Sequence, residues 1–132
     1  MRELFAYGTL MSSEVCRAVC GEHLKGEPAT LDGYTRYRLQ GECYPGLLPR
    51  RGDEVRGVLY RKLRPQLWRR LDDFEGVLYR REVVTVRLGS GEPVTAHCYL
   101  LQPRRLSRLS REPWDYDGFV RHHLGALLGG QG

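Results

Sequence analysis

The chain has 132 residues, of which 41% are hydrophobic and 28% are charged. This balance is typical of a globular domain and excludes a disordered chain, and no apolar run approaches the roughly 20 residues of a membrane span. The length predicts one domain over residues 1–128 with a flexible tail at 129–132. Because charged residues interrupt the apolar ones close to Met1, we expect no signal peptide and a cytoplasmic location.

Basic residues outnumber acidic residues by 21 to 16, which gives a formal net charge of +5. The arginines are spread along the chain and interleaved with acidic residues. A nucleic-acid-binding protein usually concentrates such charge in one stripe. The pattern therefore favours solvated surfaces, and we expect no nucleic-acid partner and no membrane partner. A weak affinity for anionic partners stays open.

The hydrophobic periodicity predicts an α+β fold of five or six strands, mainly in antiparallel hairpins, with about three helices. In chain order, the predicted elements are a strand at 2–7, a helix from Ser12 or Ser13 to Gly21, strands at 29–39 and 54–63, a helix at 65–75, strands at 79–88 and 94–101, and a helix at 115–128. Asp32-Gly33 indicates a turn or bulge, residues 44–53 a loop, and Gly57 a bulge or a close backbone approach. Gly76 is expected to end its helix in a left-handed conformation.

The four cysteines contain no Cys-x-x-Cys pair, which disfavours a zinc ribbon. Cys16 and Cys20 lie on one face of the predicted helix, near His23. They are either metal ligands or, as free cysteines commonly are, small buried thiols. We favour buried thiols and expect no metal and no cofactor.

Common hydrolase and nucleotide-binding motifs are absent from the sequence. It contains no G-x-G-x-x-G or P-loop pattern, no G-x-S-x-G and no H-E-x-x-H. His122 and His123 are adjacent, so they point in different directions on a helix, and His97 falls within a strand. These absences disfavour both a catalytic triad and metal-assisted hydrolysis.

Two segments carry possible chemistry. Residues 7–10 form a strand-to-helix loop whose backbone N–H groups suit an anionic oxygen, although an ordinary turn also uses glycine there. Glu75 stands at the end of the predicted helix, beside Phe74 and before Gly76. The helix dipole and partial burial both disfavour its ionised form, as suits a general base near neutral pH. From the residues alone, a solvated glutamate is the alternative.

Several motifs in one order resemble the gamma-glutamylcyclotransferase-like family, in its avirulence-induced-gene-like and gamma-glutamylamine cyclotransferase branch. They cover about residues 3–86, with a looser match through Trp114 and Tyr116. The motifs are Tyr7-Gly8-Thr9-Leu10, Tyr44-Pro45-Gly46-Leu47, Val55-Arg56-Gly57-Val58-Leu59-Tyr60, and Leu71-Asp72-Asp73-Phe74-Glu75-Gly76 followed by Tyr79-Arg80-Arg81.

The resemblance implies a small mixed, mainly antiparallel β-barrel flanked by helices. It implies that Tyr7, Gly8, Thr9 and Leu10 bind the glutamyl part of a small γ-glutamyl substrate and that Glu75 is the catalytic acid/base. We add Tyr44 and Tyr79 as wall or hydrogen-bonding residues. Arg81 is expected to hold the loop or a carboxylate, or to form a structural ion pair.

The predicted activity is release of 5-oxoproline and an amine from a γ-glutamyl amine or a small γ-glutamyl peptide. The substrate's own α-amine is the nucleophile, so this reaction requires no triad and no metal. The alternative is a non-catalytic protein of the same fold that binds a small amino-acid ligand; a basic nucleic-acid-associated protein ranks third. We expect the segments 42–53 and 103–117 to select the leaving group, the second of them as a lid. The oligomeric state is not predicted.

Overall fold

The computed structural model describes residues 1–129. The predicted tail lies outside this part except for Gly129, which ends the last helix. The elements are β1 (Leu4–Ala6), α1 (Ser13–Cys20), β2 (Gly26–Leu39), β3 (Pro45–Tyr60), α2 (Leu67–Glu75), β4 (Tyr79–Leu88), β5 (Pro93–Leu101), β6 (Leu109–Pro113), α3 (Tyr116–His122) and α4 (Leu124–Gly129). Short 3-10 turns occupy Thr9–Met11, Gly76–Leu78 and Pro103–Arg108. No helix of this part of the chain is long and apolar enough to cross a membrane.

Five strands close into a barrel in the order β3-β1-β5-β4-β2, and β2 pairs again with β3. The sixth strand, β6, extends the sheet from β2. Every pairing is antiparallel except that of β1 with β5. The predicted fold class, a small mixed and mainly antiparallel barrel flanked by helices, is confirmed.

Strand alternation divides the apolar side chains between two cores. Successive residues of a strand point to opposite faces. In and just after β1, Phe5 and Tyr7 therefore pack inside the barrel, whereas Leu4 and Ala6 pack under the helices. The helical layer is held by apolar residues of α1 and α2, and Cys16 and Cys20 are buried there, as expected of small apolar thiols. The end of β1 thus lies between both cores, where Tyr7 leads into the first turn.

Glycines allow the backbone to approach closely at the base of the site. A Cβ atom on Gly57 would lie 2.3 Å from the carbonyl oxygen of Ala6, and one on Gly8 would lie 3.0 Å from Cδ of Pro45. The close approach predicted at Gly57 is confirmed. The absence of a Cβ atom at these two positions lets β3 pack closely against β1 and against the loop that follows β1.

The structure corrects several predicted boundaries. The predicted loop at 44–53 is wrong, because β3 begins at Pro45 and residues 45–49 pair with β2, while residues 50–53 lie in β3 at the shift of register. The predicted bulge at Asp32-Gly33 is confirmed as a shift of register. The helix predicted at 115–128 is divided into α3 and α4 at His123, whose backbone is not helical. The helix predicted at 65–75 begins at Leu67.

Candidate functional site

A cavity of about 260 Å³ opens where the end of β1 meets the end of α2. Its wall includes all of the predicted site residues, namely Tyr7, Gly8, Thr9, Leu10, Tyr44, Glu75 and Tyr79. Buried Leu4, Phe5 and Ala6 form its floor, and the partly exposed Phe74 and Leu127 lie at its rim. Segments that are 68 residues apart in sequence therefore share one hollow, and the roles of these residues stay predictions.

Glu75 is the last residue of α2, and it is half-buried in the wall of the cavity. Its carboxylate makes no hydrogen bond or ion pair with the residues that the structure describes. Burial raises the pKa of Glu75 from 4.5 to about 8. A carboxyl group in this state can accept a proton near neutral pH and can return it.

Gly76 sets the direction in which the chain leaves the helix. Its φ of 71° and ψ of −157° lie in a region that is essentially restricted to glycine. The left-handed conformation predicted here is thus replaced by another conformation of positive φ. The chain then makes one 3-10 turn and enters β4 at Tyr79, so that Glu75 and Tyr79 both reach the cavity.

The loop at residues 8–10 lines the same cavity. Its 3-10 turn is closed by the N–H groups of Met11 and Ser12, which donate to the carbonyls of Gly8 and Thr9 at 2.9 and 3.1 Å. The first N–H groups of such a turn have no partner within it. The loop is fixed from below by Tyr60, whose hydroxyl donates to the carbonyl of Leu10 at 2.7 Å. These donors suit a carboxylate oxygen.

Three tyrosines hold the cavity walls together. The hydroxyl of Tyr7 donates to the carbonyl of Tyr99 at 2.5 Å, and that of Tyr79 donates to the carbonyl of Pro45 at 2.6 Å. The hydroxyl of Tyr44 donates to the carboxylate of Glu42. Burial raises the pKa of all three, to about 12 for Tyr44. They are therefore neutral groups that fix the shape of the site.

A polar cluster on the outer side of the wall fixes the last turn of α2. Asp72 accepts from the hydroxyl of Tyr99 at 2.7 Å and pairs with Arg81 at 3.1 Å. The guanidinium of Arg81 also lies 4.8 Å from the ring centre of Trp68. Of the roles expected for Arg81, the structure shows the ion pair. Among the described residues, no cluster suited to a metal ion is found.

The predicted lid is wrong. No described residue of the segment 103–117 lines the cavity. Instead, β6 pairs with β2, and Trp114 is buried with its indole N–H donating to the carbonyl of Cys43 at 2.7 Å. Of the two segments expected to select the leaving group, only the first contributes to the wall, through Cys43, Tyr44 and Pro45.

Sequence reasoning missed Tyr99 and Arg36. The contacts of Tyr99 reach residues 92 and 27 positions away, and those of Arg36 reach residues 29 and 20 positions away. No local pattern marks such partners. The alternation of side chains along β5 and β2 indicates only the face of the sheet on which Tyr99 and Arg36 lie.

Comparison with known proteins decides the family. A family model described as gamma-glutamyl cyclotransferase, AIG2-like, matches residues 4–116. The chain belongs to this family. AIG2-like protein D of Arabidopsis thaliana is 29% identical to it over 130 residues, which are 97% of this chain and 85% of that protein. The predicted family is confirmed.

Solved structures share the fold. A solution structure from Arabidopsis thaliana has a TM-score of 0.74 at 23% identity, over 98% of this chain and 87% of that chain. A structure titled gamma-glutamyl cyclotransferase has a TM-score of 0.68 at 23% identity, over 76% of this chain and 66% of that chain. At these identities the likeness extends to the fold alone.

Proposed function

We propose that the protein is a γ-glutamyl cyclotransferase that converts a γ-glutamyl amine or a small γ-glutamyl peptide into 5-oxoproline and a free amine. The observation that carries this proposal is the half-buried carboxyl of Glu75, with a pKa of about 8, in the same cavity as the loop at residues 8–10. Membership of the gamma-glutamyl cyclotransferase, AIG2-like family supports the reaction class.

The substrate is held by its amino-acid head. Its α-carboxylate accepts hydrogen bonds from backbone N–H groups at Gly8, Thr9 and Leu10, and its α-ammonium faces Glu75. This arrangement bends the γ-glutamyl chain back so that the α-nitrogen approaches the γ-carbonyl carbon. Holding the two reacting atoms together removes much of the entropic barrier to ring closure and contributes several kcal/mol, in order of magnitude.

Glu75 carries protons from the α-nitrogen to the leaving nitrogen, one at a time. The ionised carboxylate takes a proton from the α-ammonium, and the α-amine attacks the γ-carbonyl carbon to form the new C–N bond. The protonated Glu75 then gives that proton to the leaving nitrogen as the original γ-amide C–N bond breaks. The second proton that the ring nitrogen must lose passes to the amine in the same way, so that the amine leaves as an ammonium ion. The products are 5-oxoproline and one amine, and no water is consumed.

The raised pKa of Glu75 suits both steps. An ordinary glutamate is too weak a base to deprotonate an ammonium group readily. A carboxyl group whose pKa is about 8 binds the proton more strongly, and it can still release it. The tyrosines keep the site rigid, because their hydroxyls are hydrogen-bonded across the walls.

The experiment is incubation of the purified protein with γ-glutamyl amides in ¹⁸O-labelled water, followed by mass spectrometry. We expect unlabelled 5-oxoproline and the amine in equal amounts. Labelled glutamate would instead indicate hydrolysis. Full recovery of the γ-glutamyl compound from a tight complex would contradict the proposal and favour the non-catalytic binding protein.

A further inference from the structure

Arg36 lies behind the loop at residues 8–10, outside the cavity. It is a β2 residue whose guanidinium donates through Nη1 to the carbonyl of Tyr7 at 2.8 Å and to the carbonyl of Arg56 at 3.1 Å. The face of Trp114 covers it, with the guanidinium carbon 5.1 Å from the ring centre. The half-buried cation therefore lies between backbone carbonyls and an aromatic ring.

No carboxylate of the described residues forms an ion pair with Arg36. The charge of Asp115 acts on it, but that side chain caps α3 by accepting from the backbone N–H of Gly118 at 2.9 Å. Burial lowers the pKa of Arg36. Partial burial of a cation without a paired anion is unfavourable, and the two carbonyls and the ring of Trp114 offset part of this cost.

The peptide that joins Tyr7 to Gly8 lies between Arg36 and the cavity. In a trans peptide the C=O and N–H groups point in opposite directions. Arg36 binds the C=O, and it is not part of the cavity wall, whereas Gly8 is. The N–H of Gly8 is thus held on the side away from the guanidinium. A charged donor on the carbonyl also polarises the peptide and makes its N–H a stronger donor.

The wall of the cavity itself contains no cationic side chain among the described residues, and its one acidic side chain is Glu75. A γ-glutamyl head brings an α-carboxylate into this wall. The α-carboxylate and the ionised Glu75 are both negative. A positive potential at the wall would stabilise both charges. Arg36 is the cation in direct contact with the loop that would receive the anion.

We propose that Arg36 is a positioning residue for the substrate's α-carboxylate, which it supports through the Tyr7–Gly8 peptide rather than by direct contact. The inference rests on the proposed function, because it takes the substrate to be a γ-glutamyl compound. It assigns to Arg36 the selection of substrates that carry a free α-carboxylate, whereas Glu75 performs the proton transfer.

The experiment compares a γ-glutamyl alkylamide with its analogue in which a neutral carboxamide replaces the α-carboxylate. Both compounds can close to a five-membered lactam. The kcat/KM ratio of the two measures the preference for the carboxylate, and it is determined for wild type, Arg36→Gln and Arg36→Lys. Arg87→Gln is the matched control, because this substitution removes the same charge far from the loop in sequence. Arg87 is an exposed arginine of β4 that pairs with Asp32 at 3.0 Å and with Glu54 at 3.4 Å.

We expect Arg36→Gln to raise KM for the carboxylate substrate about tenfold, with kcat within about twofold, and to reduce the preference ratio about tenfold. A protein that was merely less stable would lose activity on both substrates equally. Arg36→Lys should retain part of the preference for the carboxylate substrate, and Arg87→Gln should retain the full preference. An unchanged ratio in folded Arg36→Gln would overturn the inference and leave the proposed function intact.

If circular dichroism shows that Arg36→Gln is unfolded, Arg36→Lys decides. An ammonium does not stack on the face of Trp114 as the planar guanidinium does, so the preference should fall several-fold, and an unchanged ratio again overturns the inference. Failure of the wild type to form either lactam would instead overturn the proposed function, and the inference with it.

Discussion

The hydroxyl of Tyr99 donates to Oδ1 of Asp72 at 2.7 Å, and the backbone carbonyl of Tyr99 accepts from the hydroxyl of Tyr7 at 2.5 Å. Asp72 precedes Glu75 by three residues, so the two lie on the same side of α2. Tyr99 therefore connects the turn that carries Glu75 to Tyr7, which precedes the loop at residues 8–10. We expect the position of Glu75 in the cavity to depend on this connection.

Tyr99→Phe tests that connection. Removing the hydroxyl leaves Asp72 with Arg81 alone and loosens the last turn of α2, so we expect kcat to fall about tenfold with KM nearly constant. The free energy of unfolding should fall by about 1 kcal/mol. Steady-state kinetics and urea unfolding measure both effects.

Tyr34→Phe is the control for this variant. Tyr34 also lies on a barrel strand, and no hydrogen bond of its hydroxyl is found among the described residues. It should therefore leave kcat unchanged. Equal losses in the two variants would show that the contact between Tyr99 and Asp72 does not position Glu75.

The pKa of Glu75 predicts how stability depends on pH. The folded protein holds a proton on Glu75 up to a pH of about 8, whereas the unfolded chain releases it near 4.5. Between these values the folded state binds more protons, so this contribution to stability is complete below 4.5 and is lost as the pH rises to about 8. Glu75→Gln has no such proton, and the stability of the variant relative to wild type should rise across this window.

Urea unfolding of both proteins at about pH 5, 6.5 and 8.5 measures this difference. Asp73→Asn, a change at an exposed carboxylate two residues away, is the control and should show no comparable slope. A constant difference between wild type and Glu75→Gln would mean that the pKa of Glu75 is ordinary.

Gly57→Ala tests the close approach of β3 to β1. The added Cβ would lie 2.3 Å from the carbonyl oxygen of Ala6, a backbone atom that cannot move without disturbing the strand pairing. We expect a loss of about 1–3 kcal/mol in the free energy of unfolding. Gly89→Ala is the matched control, because a Cβ there would meet nothing within 4 Å. Equal effects would contradict the close packing at Gly57.

Much of the fold follows from local hydrophobic pattern. Alternating apolar and polar residues predict β4 and β5, and apolar residues at helical spacing predict α2. The segment 44–53 misled this reasoning, since Pro45, Gly46 and Pro49 are typical of loops. Gly46 is small for another reason. A Cβ there would lie 2.3 Å from Cδ1 of Leu101, so the glycine permits packing and does not mark a turn. Sequence alone does not separate the two causes.

The candidate site was predictable where its residues lie in short motifs. The loop at residues 8–10 and Glu75 each stand at an element boundary with a glycine, and the ordered motifs predicted that they act together. Arg36 and Tyr99 carry no such mark, because their partners come close only when the barrel closes. The break of the last helix at His123 was equally hidden, since the amphipathic pattern continues across it.

The steady-state turnover of Glu75→Gln on a γ-glutamyl amide tests the role of Glu75 most directly. Glutamine keeps the shape of the side chain, yet it neither accepts nor donates the proton that ring closure requires. We predict that kcat falls by about 10²- to 10⁴-fold, with KM within about threefold of wild type. A kcat within about threefold of wild type would contradict the assignment of Glu75 as the acid/base.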